Sequence, residues 1–389
     1  MLRRRTSSYS RRRRPAWVYW VRRTVVLAVA VLVVATSWSI LTALRAPGND
    51  GTSVKLAEWA RDHYLGPVVT LAENIQYRLS PPATGGTPDT SQLAAGAKET
   101  QSPAGAPAAT HTAAPTIPLQ APIVPPVSPA LAGEGVYVPV VKRKTGDLIQ
   151  VTYVRPDSVH TSYLTGVAWM SHTLRFVLHP GFQDPGTSGM SQPDLVPPSA
   201  FPNLVATFNS GFKLKDISGG YYDHGHTVGT LTDGAASLVI YKDGHATVGT
   251  WGQDVSMTPQ VAFVRQNLKP LITNGKVAGD VNANVEATWG ATIGGAANVW
   301  RSGIGVTASG DLVYAMGDAM SVADLADVLQ RAGAVTAMQL DINVAWVSYM
   351  WYSHPTPSTV RPHKMGQFQR PVDRYLSDTS RDFVAVYAP

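Results

Sequence analysis

Arg301 and Asp341 are the two side chains whose types and surroundings most invite chemistry. They stand near the two ends of the stretch from Trp300 to Asn343, which reads as a hairpin, a capped helix and a buried strand. Arginine carries a planar fork of donors matched to phosphate oxygens, a geometry lysine lacks. The alternative for Arg301 is a structural salt bridge. Asp341 lies at the end of the apolar run AVTAMQLDIN, where Ala337, Gln339 and Asp341 share one side of an alternating strand. A carboxylate in such a place is costly unless paired or hydrogen-bonded. It either caps the turn that follows or serves as a catalytic or sugar-orienting group. A guanidinium and a carboxylate brought together by these compact elements would suit an anionic, phosphate-bearing sugar.

Two further clusters carry polar side chains at close spacing. Asn209 to Lys213, NSGFK, follow LVATF, which reads as a buried strand. An asparagine with a glycine close by suggests a tight turn that presents the amide and backbone N–H groups, to a ligand or simply to solvent. Asp223, His224 and His226 in YYDHGH form the tightest acid–histidine cluster. Neutral imidazoles at i and i+2 share a strand face and can ligate a metal. A polar loop is the preferred reading here, so neither a metal nor a cofactor is expected. Nucleophile-elbow, Walker and HExxH patterns are absent from the sequence.

Short β-like runs position these residues. They include VYVPVV, DLIQVTYVR, TLRFVLHP, a hairpin from Ser237 to Trp251 around Asp243-Gly244, and a second from Ile304 to Met316 around Ser309-Gly310. Residues 322–332 read as a helix with Ser321 as N-cap, Asp324 at the capping-box position and Gly333 at the C-terminal cap. Its apolar stripe is Val322, Leu325, Ala326 and Leu329. Asp382 to Tyr387 read as a closing strand. Strands outnumber helices without βαβ alternation, so the expected class is α+β: a β-rich mixed sheet with a few packed helices.

Ahead of that globular part the chain changes character repeatedly. Nine arginines precede residue 24 and the first acidic residue is Asp50. Removing those nine leaves 23 basic against 26 acidic residues, so the formal +6 describes a tail and not the body. Residues 24–44 carry no charge and would span roughly 30 Å as a helix, one hydrocarbon thickness. Trp17, Tyr19, Trp20 and Trp38 suit its interfaces. The expected topology is a single-pass signal anchor in the cell membrane, with residues 1–23 cytoplasmic and the remainder extracytoplasmic. A cleaved secretory signal is the alternative, although Leu44-Arg45-Ala46 makes a poor cleavage site. Juxtamembrane arginines already have a role with anionic lipid, so no nucleic-acid partner is expected. Residues 45–79 read as a membrane-proximal helical stalk broken at Gly66-Pro67. The Pro/Ala/Thr-rich stretch 80–133 reads as a disordered linker, and 134–389 as the globular domain. The sequence holds no cysteine, so that domain must rely on its core, for which about 255 residues suffice.

Three patches recur in a fixed order: NSGFK after a strand at 209, WRSGIGVTASGDLVYAMGD at 300, and SVADLADVLQRAGAVTAMQLDIN at 321. Together they resemble the phosphodiester glycosidase family, over roughly residues 200–345. That family shows an NGGFF-like turn, an R-[ST]-x-x-G hairpin, a Leu/Ala-rich helix and an LDGG strand end. By position Asn209 and Gly211 match the turn, Arg301, Ser302 and Gly305 the hairpin, and Asp341 the aspartate. Ser210 replaces the first glycine, Lys213 an aromatic residue, and Ile342-Asn343 the Gly-Gly pair. Glycines there would allow close approach or positive φ, which isoleucine resists.

The resemblance implies hydrolysis of a sugar-1-phosphodiester, here one of the cell envelope. The leaving phosphate is already a stable anion, so a strong general acid is less needed than in ordinary glycosidases. Asp341 would act as nucleophile, base or electrostatic partner, and Arg301 with Lys213 would stabilise the phosphate. Asn209 would hold sugar hydroxyls, with Gly211, Ser302 and Asn343 completing the substrate contacts. The alternative is a non-catalytic envelope glycan-binding module whose DGG has become DIN. The oligomeric state is not legible.

Overall fold

In the computed structural model, which describes residues 15–93, 117–144, 146–283, 285–290, 292 and 295–389, the alternating runs become three antiparallel sheets. The largest orders its strands β1 (Val138–Arg143), β2 (Gly146–Val154), β3 (Thr165–Met170), β14 (Leu312–Met320), β13 (Val299–Thr307), β15 (Ala334–Gln339), β11 (Pro270–Thr273) and β12 (Lys276–Val277). A second runs β7 (His226–Gly229), β6 (Gly220–Asp223), β10 (Val261–Gln266), β8 (Ala236–Tyr241) and β9 (Ala246–Thr250). The third runs β17 (Thr359–Lys364), β16 (Tyr349–Thr356), β5 (Leu204–Asn209), β18 (Phe383–Tyr387) and β4 (Arg175–His179). With few helices beside these sheets, the class is α+β, as the strand-rich sequence implied.

Both hairpins form where the alternating runs and their turn residues place them, as β8–β9 and β13–β14. Strand β13 lies between β14 and β15, with Gly303 opposite both Ala315 and Gln339. Its centre, Arg301 to Gly305, is buried on both faces. Gly303 and Gly305 permit this: a Cβ on Gly303 would come within 3.0 Å of Leu329, and one on Gly305 within 2.7 Å of Ala334. Above them lies the helix Val322–Arg331, which buries Val322, Leu325, Ala326, Val328 and Leu329 against β13, β14 and β15. Its capping box is complete. The Asp324 N–H donates to Ser321 Oγ at 3.1 Å and the Ser321 N–H donates to Asp324 Oδ2 at 2.7 Å. A cap of this kind stabilises a helix by about 1 kcal/mol. Gly333 then ends the helix at φ +94°, a conformation that costs other residues strain.

Two compact units divide the chain. The first comprises, among its described residues, 15–46 and 51–66. It holds α1 (Ala16–Leu44) and α2 (Thr52–Asp62), tied by a bond of 2.9 Å from the Trp59 indole N–H to Ser39 Oγ. Among the described residues α1 is the one helix long and apolar enough to cross a membrane. Its Leu27, Val31, Leu32 and Val34 side chains are exposed.

The second unit comprises residues 47–50 and those from 67 onward. It includes most of α3 (Gly66–Leu79) and all three sheets. Of the stretch expected as a linker, residues 94–116 lie outside the described residues. Its flanks are ordered against the rest of the unit: Leu93, Ile123 and Val127 are buried, and Ile117 bridges to Gly146. Just beyond, Glu134 forms a buried ion pair with Arg155 at 2.8 Å. Single apolar side chains spaced among prolines do not register in an average of composition, which is how this packing escapes a sequence reading.

Candidate active site

Asn209 is the last residue of β5, and its amide is used on every side. Nδ2 donates to Ser302 Oγ at 3.0 Å and to the Ser210 carbonyl at 2.9 Å. Oδ1 accepts from the Tyr314 hydroxyl at 2.6 Å and from the Ser348 N–H at 3.0 Å. Ser302 in turn donates from Oγ to the Asp341 carbonyl at 2.8 Å and from its N–H to the same oxygen at 3.1 Å. The Asp341 N–H donates to the Ser210 carbonyl at 3.2 Å. Segments separated by 93 and 39 positions are thus zipped into one network.

The Asp341 side chain is held as firmly as its backbone. Oδ1 accepts from the Asn343 N–H at 2.9 Å, capping the turn, and Oδ2 accepts from Arg381 Nη2 at 3.2 Å. Burial pushes this carboxyl above the usual carboxylate range, while the Arg381 guanidinium and the turn N–H groups pull the other way. The side chain is only 5% exposed. Turn-capping, one of the two roles open to Asp341 from its sequence, is therefore filled. Its counter-ion comes from outside every motif.

Arg301 points to the other side of β13 from the Ser302 hydroxyl, as strand alternation requires. Its guanidinium is fully buried and donates from Nε to the Met320 carbonyl at 2.8 Å, from Nη1 to Gln339 Oε1 at 2.8 Å and from Nη2 to the Ala297 carbonyl at 3.1 Å. Gln339 passes the chain on to the Trp289 carbonyl at 2.7 Å. Burial brings the Arg301 pKa down to about 10, with the Asp324 charge opposing, so it remains cationic at neutral pH. Its hydrogen bonds join it to Gln339 and two carbonyls, whereas Arg381 is the guanidinium bonded to Asp341.

Gly211 sits where a Cβ would meet Asn267 at 3.3 Å and Arg265 at 3.4 Å, and its carbonyl accepts from Arg381 Nη2 at 3.0 Å. Lys213 is half-buried at the head of the short turn Leu214–Asp216. Asn343 is half-buried, with Oδ1 accepting from the Ala345 N–H at 2.8 Å. None of Ser210, Ile342 and Asn343 takes a positive φ, so the backbone accommodates the residues found in place of glycine without strain. In YYDHGH, Asp223 accepts from the Ser191 N–H at 2.7 Å and faces His224 Nδ1 at 2.7 Å, while His226 is exposed.

Arginines beyond the recognised patches surround this network. Trp346 has Arg370, Arg374 and Arg381 over its ring at 4.6, 5.0 and 5.1 Å. Arg370 pairs with Asp50 at 2.7 Å and Arg265 with Asp382 at 2.6 Å. No spacing in RPVDRYLSDTSRD distinguishes Arg370, Arg374 and Arg381 from surface charges, so the sequence offered no signal for them.

A cleft of about 220 Å³ opens beside Asn343. Tyr77, Tyr163 and Trp300 give it aromatic walls, and Asn298, Asp318 and Asn343 give it polar groups. Ile342 also lines it, whereas Asp341 and Arg301 do not, although each is the sequence neighbour of a lining residue. Tyr77 closes one side, donating from its hydroxyl to the Asn298 carbonyl at 3.1 Å.

Residues 202–341 match the model of the phosphodiester glycosidase family, which bears out the resemblance seen in the motifs. No curated protein matches the chain. Among solved structures, the chain is similar to the catalytic domain of zebrafish N-acetylglucosamine-1-phosphodiester alpha-N-acetylglucosaminidase auto-inhibited by its pro-peptide. That match has 16% identity and a TM-score of 0.40, covering 62% of this chain and 82% of that one. It is also similar to a hypothetical protein from Synechocystis, at 11% identity and a TM-score of 0.36, covering 63% of each chain.

Proposed function

We propose that the chain is a membrane-anchored, extracytoplasmic hydrolase that cleaves a sugar-1-phosphodiester of the cell envelope. The observation that supports this reading best is the joining of Asn209, Ser302 and Asp341, from three distant segments within the family-matched span, with Ile342 and Asn343, the next two residues after Asp341, lining an aromatic cleft. The cleft would take the sugar, with Asn343 among its contacts. Asp341 would act through its negative charge on the oxocarbenium-like centre, because its oxygens are already engaged by Arg381 and the turn. Arg301 would position the reacting groups, since it ties the Ala297 carbonyl, next to Asn298, to the Met320 carbonyl at the end of β14, which carries Asp318. Lys213 and Gly211 would complete the phosphate side.

The near-complete enclosure of Asp341 and Arg301 favours a second reading, a glycan-binding module that has kept the fold without the reaction. A panel of methyl phosphodiesters of hexose- and N-acetylhexosamine-1-phosphates separates the two, assayed for both turnover and binding. Turnover by the wild type that falls at least a hundredfold in Asp341→Asn supports the hydrolase. Binding without turnover supports the module, and near-wild-type turnover in Asp341→Asn removes Asp341 from the mechanism.

A further inference from the structure

The cleft holds a carboxyl group that neither the motifs nor the preceding mechanism uses. Asp318 stands near the end of β14 and lines the cleft together with Tyr77, Trp300 and Asn343. One oxygen, Oδ1, accepts from the Ala319 N–H at 2.7 Å, and Trp300 lines the same cleft. Ala319 takes φ +56°, a left-handed conformation unusual for alanine. Backbone strain of that kind persists only where the surroundings over-determine it, and here it turns the chain immediately after the carboxylate. Half-buried as it is, Asp318 sits at a boundary between solvent and apolar wall, the setting in which a carboxylate holds a water against a ligand. Burial raises its pKa, while the Ala319 N–H, the Trp300 indole and the nearby His160 restrain the rise. A carboxylate made more basic in this way is better matched to accepting a proton near neutral pH.

We propose that Asp318 is the catalytic base of the cleft, accepting a proton from the water that attacks the anomeric carbon of the bound sugar-1-phosphodiester. This rests on the hydrolase reading above. As the water oxygen bonds to the anomeric carbon, one of its protons passes to an Asp318 oxygen. The bond from that carbon to the phosphate oxygen breaks, and its electron pair leaves with the phosphate monoester. Asp318 then returns the proton to solvent, so no further reactant is needed. Trp300 lines the same cleft, so a sugar resting on its ring would lie beside the base.

The test uses the full-length protein in detergent and whichever methyl phosphodiester of the panel the wild type cleaves fastest. Asp318→Asn should lower kcat by about 10²- to 10⁴-fold, the usual share of a general base, with KM changed less than about threefold. Asp318→Glu keeps the carboxyl but displaces it, and should lower kcat at least tenfold at the same KM. Added formate should restore part of the rate to Asp318→Ala, an effect that a merely structural carboxylate would not show. An active wild type whose Asp318→Asn and Asp318→Glu variants both keep kcat within threefold overturns this assignment and leaves the hydrolase intact. A wild type that cleaves no member of the panel defeats the hydrolase reading itself, and the base with it.

Discussion

Arg301 and Asp341 were paired by reasoning about phosphate and positive charge, yet each is satisfied by a different partner. Replacing Arg301 by alanine would leave the Met320 and Ala297 carbonyls and the Gln339 amide oxygen facing a cavity. Each unsatisfied buried group costs about 1–3 kcal/mol, so Arg301→Ala should destabilise the domain by about 3 kcal/mol or more. Asp341→Asn keeps an acceptor for the Asn343 N–H and should lose turnover out of proportion to stability. Chemical denaturation beside kinetics would show the contrast; equal stability of Arg301→Ala and wild type would refute the structural role given to Arg301. The sequence implied that Asn209, Arg301 and Asp341 converge; the hydrogen bonds instead join Asn209 and Asp341 through Ser302, from segments that do not all pair as strands. The orientation of Arg301 was not legible. Strand β13 is covered on both faces, so parity alone cannot say which side meets a ligand. Arg381 and Asp318 were missed for different reasons: the first lies outside every motif, and the second sits inside one but looked like the end of a hairpin.

At the scale of elements, the helix Val322–Arg331 and the two hairpins were readable because capping and turn residues act locally, within a few positions of the structure they set. Burial of a polar side chain within a strand is not local. His179, at the end of β4, is fully enclosed, stacked 4.7 Å from Phe383, with Nδ1 at 2.9 Å from the Pro193 carbonyl. Desolvation drives its pKa from 6.5 down to about 4. A depressed histidine pKa means that the unfolded chain binds more protons between those two values, so stability is present above pH 6.5 and declines as pH falls toward 4. At 1.36 kcal/mol per unit the loss from this group is about 3 kcal/mol. Urea unfolding at pH 4.5 and pH 7 should show it, and His179→Gln should flatten the difference; an unchanged slope in that variant would refute the assignment to His179.

Across the whole molecule, charge and hydropathy divide the chain more sharply than the fold does. A cationic tail, an uncharged helix and a slightly acidic remainder suit a protein held at a membrane surface. Deleting residues 16–44 should move the protein from the membrane fraction to the soluble fraction. Protease protection of the tail in intact cells, with cleavage of the stalk from outside, would support the orientation, and the reverse pattern would overturn it. The Pro-rich region shows where composition stops being a guide, since Ile123 and Val127 are buried despite their neighbours.

The bond from Tyr77 to the Asn298 carbonyl, with Ser80, Pro81 and Pro82 beside it, carries a practical consequence. A recombinant fragment trimmed to the strand-rich portion from residue 134 would retain Trp300, Asp318 and Asn343 yet shed an entire flank of its groove. A ligand of the kind proposed would then meet one wall of the groove in place of two. Any truncated version made for crystallisation or screening should therefore begin upstream of α3.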